Sequence, residues 1–435
     1  MNDTLACEEV QETQVEKRER LKMGIANLKN KRAVFFHGDI HTPGGSERLM
    51  VEEIKHFERN GAKAHIITYY FNQEALFNEA YKADIHQLIG KSLIYSTPLP
   101  LRVIYLPRMV LALRRKLREI KPDNIISRSS FECIYLYLAT LFVPFPYVTH
   151  IHSTISRDSG DLRQYALIYR KALKKIREST PGHKEFTPKT PPKVNPLKRI
   201  ISELTAIVEY LAVRKARKIF VLSNQMKWEV DELYHKEAVV LKGAFPVEIL
   251  NYKPKQNIKE KLGLEDKRIV LSVCRLEARK RVGLVIKAFQ QIGDKFEDFV
   301  LVIGGRGPEV DNLKNLAREL GIENRVKFVG FIPEDELWDY YATCDLFVSL
   351  DWADFGIAAY EALALQREVV WSTEIETDDY LSQNRHIFPA NPTVKDVAEA
   401  LERALNTRVP EEFDMSPYTW QRYCEQIMKE LSLPI

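Results

Sequence analysis

The feature that most constrains this chain is an order of elements: a short apolar strand, a glycine-rich turn, an amphipathic helix and a second strand. Residues 33–37 (AVFFH) form an apolar run that ends in the turn HTPGGS at 41–46. A helical pattern follows, with Leu49, Met50, Ile54 and Phe57 on one face. Asn60 and Gly61 stop it before a strand pattern at 64–69. Parallel strands need a long crossover, usually a helix, so this series opens a parallel α/β sheet. Further strands are predicted at 124–127, 147–151 and 218–222.

A second series, not a sequence repeat of the first, starts near residue 268. It predicts strands at 268–274, 299–304, 326–329, 346–350 and 368–371. Between them lie a helix carrying Val282, Val285, Phe289 and Ile292, and another carrying Val310, Leu313, Leu316 and Leu320. Two more helices are predicted at 334–343 and 356–365. The expectation is an α/β chain of two doubly wound, Rossmann-like domains facing a cleft at their strand carboxyl ends, where ligands of this architecture bind. Its 435 residues suit two domains at roughly 100–200 residues each. The predicted boundaries are an extension at 1–30, an N-terminal domain at 31–245, a C-terminal domain at 246–412 and a closing helix at 413–435. Residues 180–196 hold five prolines and are predicted to be a mobile loop, between basic helix-like stretches at 163–177 and 197–218.

Composition removes several classes. A hydrophobic fraction of 45% excludes a wholly disordered chain. The five cysteines form no C-x-x-C pair, which speaks against structural zinc or a disulfide scaffold and for a reducing, cytoplasmic compartment. No run reaches the roughly 20 apolar residues of a membrane span. Residues 1–32 are polar and lack the apolar segment of a secretory signal.

Several residues are placed to carry chemistry. Arg275 and Lys280 lie in SVCRLEARKR (272–281), where a strand closes and a helix opens. Two cations at a strand's carboxyl end suit a diphosphate; the alternative is a solvated basic turn, the state expected for Arg279 and Arg281. In DWADFGIAAYE (351–361), Gly356 permits close backbone approach, and Glu361 sits among apolar helix residues. A carboxylate there needs a partner, either ligand hydroxyls or a structural ion pair. Gly44 and Gly45 open the first helix and could present amides to an anion, or form a plain tight turn. The turn GGRGP (304–308), with Gly305, lacks the spacing of a dinucleotide site. His150 and His152 end one strand and share a face. The 10 histidines show no metal-ligand spacing, and there is no Walker loop, nucleophile elbow or Asp-X-Asp.

Taken in order, these motifs resemble the retaining glycosyltransferases of family four, which have the GT-B fold. GGSER (44–48) is similar to that family's GG-A-E-R turn. SVCRL with Lys280 and Arg281 is similar to S-V-G-R-L-x-x-x-K-R, with Cys274 in place of glycine. GGRGP, VKFVGF (326–331) and the run from Phe355 through Glu361 resemble the family's next three signatures. GGSER, and Gln366 where most members have glycine, lean toward the mannosyltransferases of lipid-linked oligosaccharide assembly.

The resemblance implies roles. Arg275 and Lys280 would bind the donor diphosphate, and Glu361 the ribose. The backbone at Phe331 and Ile332 would meet the base, with Gly305, Asp354, Phe355, Gly356 and Ile357 lining the donor site. Gly44 and Gly45 would lie by the leaving phosphate. His152 would contact the transferred sugar, with His150 and Arg157 on the acceptor side. The implied reaction moves a sugar from a nucleotide-diphosphate donor with retention, without a cofactor or metal. There is one departure: Ala353 stands where the family's first acidic-signature glutamate falls, so Asp354 or Asp351 would supply that carboxylate. Gln366 and Glu368 also replace the family's glycine and proline. A non-catalytic nucleotide-sugar-binding or partner subunit is the alternative, and a sugar-nucleotide epimerase is a third reading.

The net charge of +4 is too small to suggest a nucleic-acid partner, but it is unevenly spread. Residues 163–218 hold 15 Lys and Arg against 4 Glu, and residues 99–121 hold 7 against 1. Leu99, Leu101, Ile104, Leu106, Met109 and Leu113 are expected to give the second stretch an apolar face. Basic amphipathic helices suit an anionic membrane surface, here the cytoplasmic face, and a lipid-linked acceptor. A solvated basic face or a groove for an acidic glycan would read the same way.

Overall fold

A computed structural model describes residues 29–41, 45–72, 83–92, 99–143, 145–152, 162–179, 185, 195–352, 356–375 and 377–432. The expected α/β architecture is present. The chain divides into two compact units: Met1–Ser127 with Tyr135–Val148 and Cys424–Ile435, and Arg128–Ile134 with Thr149–Tyr423.

The first unit is built on β1 (Arg32–Phe36). A short strand, β2 (Asp39–Ile40), precedes α1 (Gly45–Arg59). Then come β3 (Lys63–Thr68), β4 (Tyr70–Phe71), β5 (Asp84–Gln87), α2 (Leu99–Ile120) and β6 (Asn124–Ser127). The main sheet runs β5-β3-β1-β6, all parallel, while β2 and β4 pair separately. Helix α1 ends where expected: Gly61 follows it with φ +81 and supplies the left-handed turn that Asn60 introduces. Strand β5 was not predicted. Its sequence, DIHQ, is polar because it is an edge strand buried on neither face.

Helix α2 corrects the expected apolar surface. Met109, Leu113 and Leu117 recur every four residues and are fully buried, so they form the core face. Ile104 is exposed as expected, but with Val103, Tyr105 and Leu111 rather than with Met109 and Leu113. Arg114 is a structural residue, donating to the carbonyls of Ala139 and Leu138 at 2.8 Å each.

Next in the chain are α3 (Glu132–Thr140), β7 (Tyr147–Ile151), α4 (Arg170–Ser179), α5 (Pro196–Lys215), β8 (Ile219–Val221), α6 (Asn224–Tyr234) and β9 (Val239–Val240). Strands β7, β8 and β9 are parallel neighbours. Nearly all of the proline-rich segment at 180–196 falls outside the described residues.

The second series then forms a six-stranded parallel sheet. Its elements are α7 (Ile258–Leu262), β10 (Arg268–Val273), α8 (Val282–Gln291), β11 (Phe299–Gly304), α9 (Val310–Glu319) and β12 (Val326–Gly330). They continue with α10 (Glu334–Thr343), β13 (Leu346–Ser349), α11 (Ile357–Ala364), β14 (Glu368–Ser372), β15 (Ile387–Ala390), α12 (Val394–Asn406) and α13 (Trp420–Ser432). The strand order is β12-β11-β10-β13-β14-β15. Central β10 and β11 are near-continuous apolar runs because helices cover both faces. Helix α8 buries Val282, Val285, Ile286 and Phe289 on one side, and burying a residue such as Phe289 stabilises by about 1.5–3 kcal/mol. Strand β15 was not predicted. Its Pro389 cannot donate to a ladder and is tolerated at the sheet edge.

Candidate functional site

The six-stranded sheet has one topological switch point. The chain leaves β10 for β11 on one side, while β13 lies on the other. Loops from these neighbouring parallel strands emerge at one edge, the usual ligand position in a doubly wound sheet. One is the loop after β10, with Arg275 and Lys280; the other follows β13, with Asp351. The two are tied by charge. Asp351, 3% exposed, pairs with Lys280 and accepts from Arg279 at 2.9 and 3.2 Å. Arg279 also donates to Glu277 at 3.0 Å, and Arg275 to the other Glu277 oxygen at 3.2 Å. Burial raises the Glu277 pKa, but Arg279 and Arg275 more than offset this and hold it below the ordinary carboxylate value.

Arg279 and Arg281 are therefore not solvated, contrary to expectation. Arg281 is buried, in a left-handed conformation at φ 53. Its guanidinium donates to Glu374 at 2.5 Å, Glu185 at 2.8 and 3.1 Å, and the Leu350 carbonyl at 3.2 Å. A buried guanidinium needs such partners. Asp351 also departs from expectation: as the partner of Arg279 and Lys280, it is engaged within the protein. Of Arg275, Arg279, Lys280 and Arg281, Arg275 is the most exposed, with 59% of its side chain accessible.

The glycine-rich turn after β11 packs against the same loop. At Gly305, φ is +128, and a Cβ would meet the Cys274 carbonyl oxygen at 1.9 Å. At Gly307 a Cβ would meet the Leu276 carbonyl oxygen at 2.2 Å. Backbone bonds from Cys274 to Gly304 (3.2 Å) and from Leu276 to Arg306 (2.9 Å) complete the contact. These glycines let two turns touch, so Gly305 shapes the loop that holds Arg275. Burial pushes the Cys274 thiol up to about 12, so it remains uncharged at neutral pH.

Helix α11 begins at Gly356–Ile357, on the chain leaving β13. Glu361 is buried on it and accepts from the Trp338 indole at 3.5 Å. Phe331 and Ile332, adjacent after β12, differ in exposure. Phe331 is exposed, with the Arg306 guanidinium 5.5 Å over its ring, while Ile332 belongs to the core. Ala353, Asp354 and Phe355 lie outside the described residues.

His150 is fully buried, its ring hydrogen-bonded with the Tyr423 hydroxyl at 2.9 Å. It offers no surface to an acceptor, which removes it from the acceptor side. His152, half-buried, lies with its ring 4.1 Å from that of His150. Gly45 is the exposed first residue of α1, near the His37–Glu47 pair at 3.2 Å. Gly44 and Arg157 lie outside the described residues. His65, Asp84 and His86 meet on β3 and β5 in metal-like proximity, but Lys63 already neutralises Asp84 at 3.0 Å.

The comparisons agree in both halves. Residues 43–241 match the model of Glycosyltransferase Family 4, and residues 254–421 that of Glycosyl transferases group 1. An uncharacterized glycosyltransferase of Methanocaldococcus jannaschii is 29% identical over 211 residues, covering 46% of this chain and 53% of the relative. A GDP-mannose-dependent alpha-(1-6)-phosphatidylinositol monomannoside mannosyltransferase of Mycolicibacterium smegmatis is 32% identical over 121 residues, covering 26% and 32%. The chain thus spans about half the length of the first and a third of the second. Among solved structures, sucrose-phosphate synthase from Thermosynechococcus elongatus superposes with TM-score 0.66 at 16% identity, over 92% of this chain and 94% of the other. Anabaena HepE in complex with UDP-glucose gives 0.59 at 16% identity, over 92% and 95%. The fold is GT-B. Among the described residues, no helix is long and apolar enough to cross a membrane.

Proposed function

We propose that this family-four-like glycosyltransferase of the GT-B fold moves a sugar, with retention, from a nucleotide-diphosphate sugar to a lipid-linked glycan or polyprenyl-phosphate-linked sugar. The observation that carries the reading is the coupling of Lys280 to buried Asp351 across the switch point, with exposed Arg275 beside them. A diphosphate arriving there meets one exposed guanidinium. It also meets an ammonium already oriented by a carboxylate.

Arg275 and Lys280 neutralise the diphosphate as the glycosidic bond breaks. Glu361 accepts from the ribose hydroxyls, Phe331 and Ile332 border the base, and His152 contacts the sugar. The acceptor hydroxyl attacks on the face the diphosphate leaves, which gives retention. Preorganised cations cost no reorganisation during the reaction, and removing one such donor typically costs ~100–1000-fold in rate. The phosphatidylinositol mannoside acceptor in the name of the mycobacterial relative supports a lipid-linked acceptor. The proposal needs no metal.

The test is donor hydrolysis over a panel of UDP- and GDP-sugars, with and without a chelator. Turnover of one donor that persists under chelation, and falls in Arg275→Ala, is the expected result. Binding of a nucleotide sugar with no hydrolysis or transfer would instead establish the non-catalytic reading that Ala353 motivates.

A further inference from the structure

Helix α5 wears its amphipathicity in reverse. The side packed into the protein carries Ser202, Ala206, Glu209, Ala212 and Val213, all buried. The opposite side carries Leu197, Ile200, Leu204, Ile207 and Leu211, which are 40–61% exposed. Their spacing alternates three and four residues, so they form one stripe along the helix. Leu167 and Ile168, also exposed, extend the patch. Their N–H groups donate to the Glu203 carboxylate at 2.5 and 3.2 Å, which fixes this turn against α5. A contiguous apolar surface of this kind marks a site of interaction.

Charge selects the occupant. Arg170 and Lys171, just past buried Tyr169 in the chain, are exposed; Lys198 lies 5.0 Å over the Tyr165 ring, beside exposed Arg199. Residues 162–179 and 195–218 together carry 12 Lys and Arg against 3 Glu, a net of +9. A twofold contact between copies would set this charge against itself. An anionic surface with an apolar interior complements it.

We infer that the outer face of α5, with Leu167 and Ile168, docks this protein on an anionic lipid bilayer. The helix lies in the interface plane, with its leucines and isoleucines at the acyl boundary and the cations among the head groups. This deepens the reading of a lipid-linked acceptor and rests on it only for its purpose.

The full chain is sedimented with vesicles of phosphatidylcholine alone, and of phosphatidylcholine mixed with phosphatidylglycerol, over a salt series. Donor hydrolysis and size-exclusion mass are read in parallel. Binding to the mixed vesicles that weakens as salt rises is expected. The double variant Leu204→Ser/Ile207→Ser, and separately Lys171→Glu/Arg199→Glu, should each lower vesicle affinity by about tenfold or more, with donor hydrolysis unchanged. No binding to mixed vesicles at low salt overturns the inference. So does a dimer that Leu204→Ser/Ile207→Ser converts to monomer, which would assign the stripe to a second copy. Vesicle binding without donor hydrolysis would leave the docking face standing and remove the catalytic reading.

Discussion

The side-chain amide of Gln366 bonds the backbone of Phe413 in both directions: Nε2 donates to the carbonyl at 3.0 Å, and Oε1 accepts from the N–H at 2.9 Å. Gln366 is also left-handed, at φ 58. It closes α11 as a Schellman cap, with Gln366 N bonded to Leu363 O at 2.9 Å and Arg367 N to Ala362 O at 3.0 Å. That position favours glycine, and a side chain there costs roughly 1–2 kcal/mol. The two bonds to Phe413 offset the cost.

Gln366→Ala should therefore lose about 1–3 kcal/mol, since strain stays and both bonds go. Gln366→Gly should lose less, because it also removes the strain. Urea denaturation of the full chain checks the order. Equal stability of Gln366→Ala and wild type would show that the Phe413 pair contributes nothing.

The two cations proposed for the donor diphosphate should separate by what they hold at rest. Arg275 is mostly exposed, so Arg275→Ala should leave the melting temperature unchanged while donor kcat/KM falls by about tenfold or more. Lys280→Ala should lower both, because it also leaves buried Asp351 with one partner fewer. Thermal melts beside donor kinetics make the comparison. Unchanged kinetics in both variants would remove the diphosphate site from this edge.

Much of this was legible in the sequence, and the exceptions share a cause. Strands β10 and β11 read correctly because burial on both faces demands continuous apolar runs. Edge strands β5 and β15 did not, because half-exposed edges impose little pattern. The placement of Arg275 and Lys280 on one loop after β10 is legible from their spacing. The pairing of Asp351 with Arg279 is not, since it depends on β10 and β13 being neighbours, and sequence order does not state that. The outward stripe on α5 was hidden for a related reason. Nothing in its sequence says that Ser202, Ala206 and Glu209 face the interior while the leucines do not.

Acid should weaken the first unit before it reaches carboxylate pH. Burial, then the neighbouring His86, lowers the His65 pKa below the ordinary 6.5. Burial, then Lys116, does the same for His86. The unfolded chain therefore takes up protons first as pH falls through about 6.5. Stability is full above that value and declines as pH falls toward the lowered native values. Melting temperature between pH 7.5 and 5.5 should fall, and fall less steeply in His86→Gln. A parallel decline in both proteins would place the acid sensitivity elsewhere.

Gly243 lies at the expected junction between the two series, and its neighbours account for the choice of glycine. Ala244 N donates to Tyr418 O at 2.8 Å, and Trp420 N to Phe245 O at 2.8 Å, so this stretch is laced to the start of α13. A Cβ on Gly243 would sit 2.3 Å from the Tyr423 Cβ. That contact is with the root of a side chain, which cannot swing away. Tyr423 is itself fixed, its hydroxyl bonded to buried His150. Gly243→Ala should therefore destabilise by about 1–3 kcal/mol through overpacking. The double variant Gly243→Ala/Tyr423→Gly should lose less than the two single variants summed, since the clashing Cβ is gone. A double-mutant cycle from urea midpoints measures the coupling. Additive losses would mean that Gly243 is required for some reason other than the approach of Tyr423.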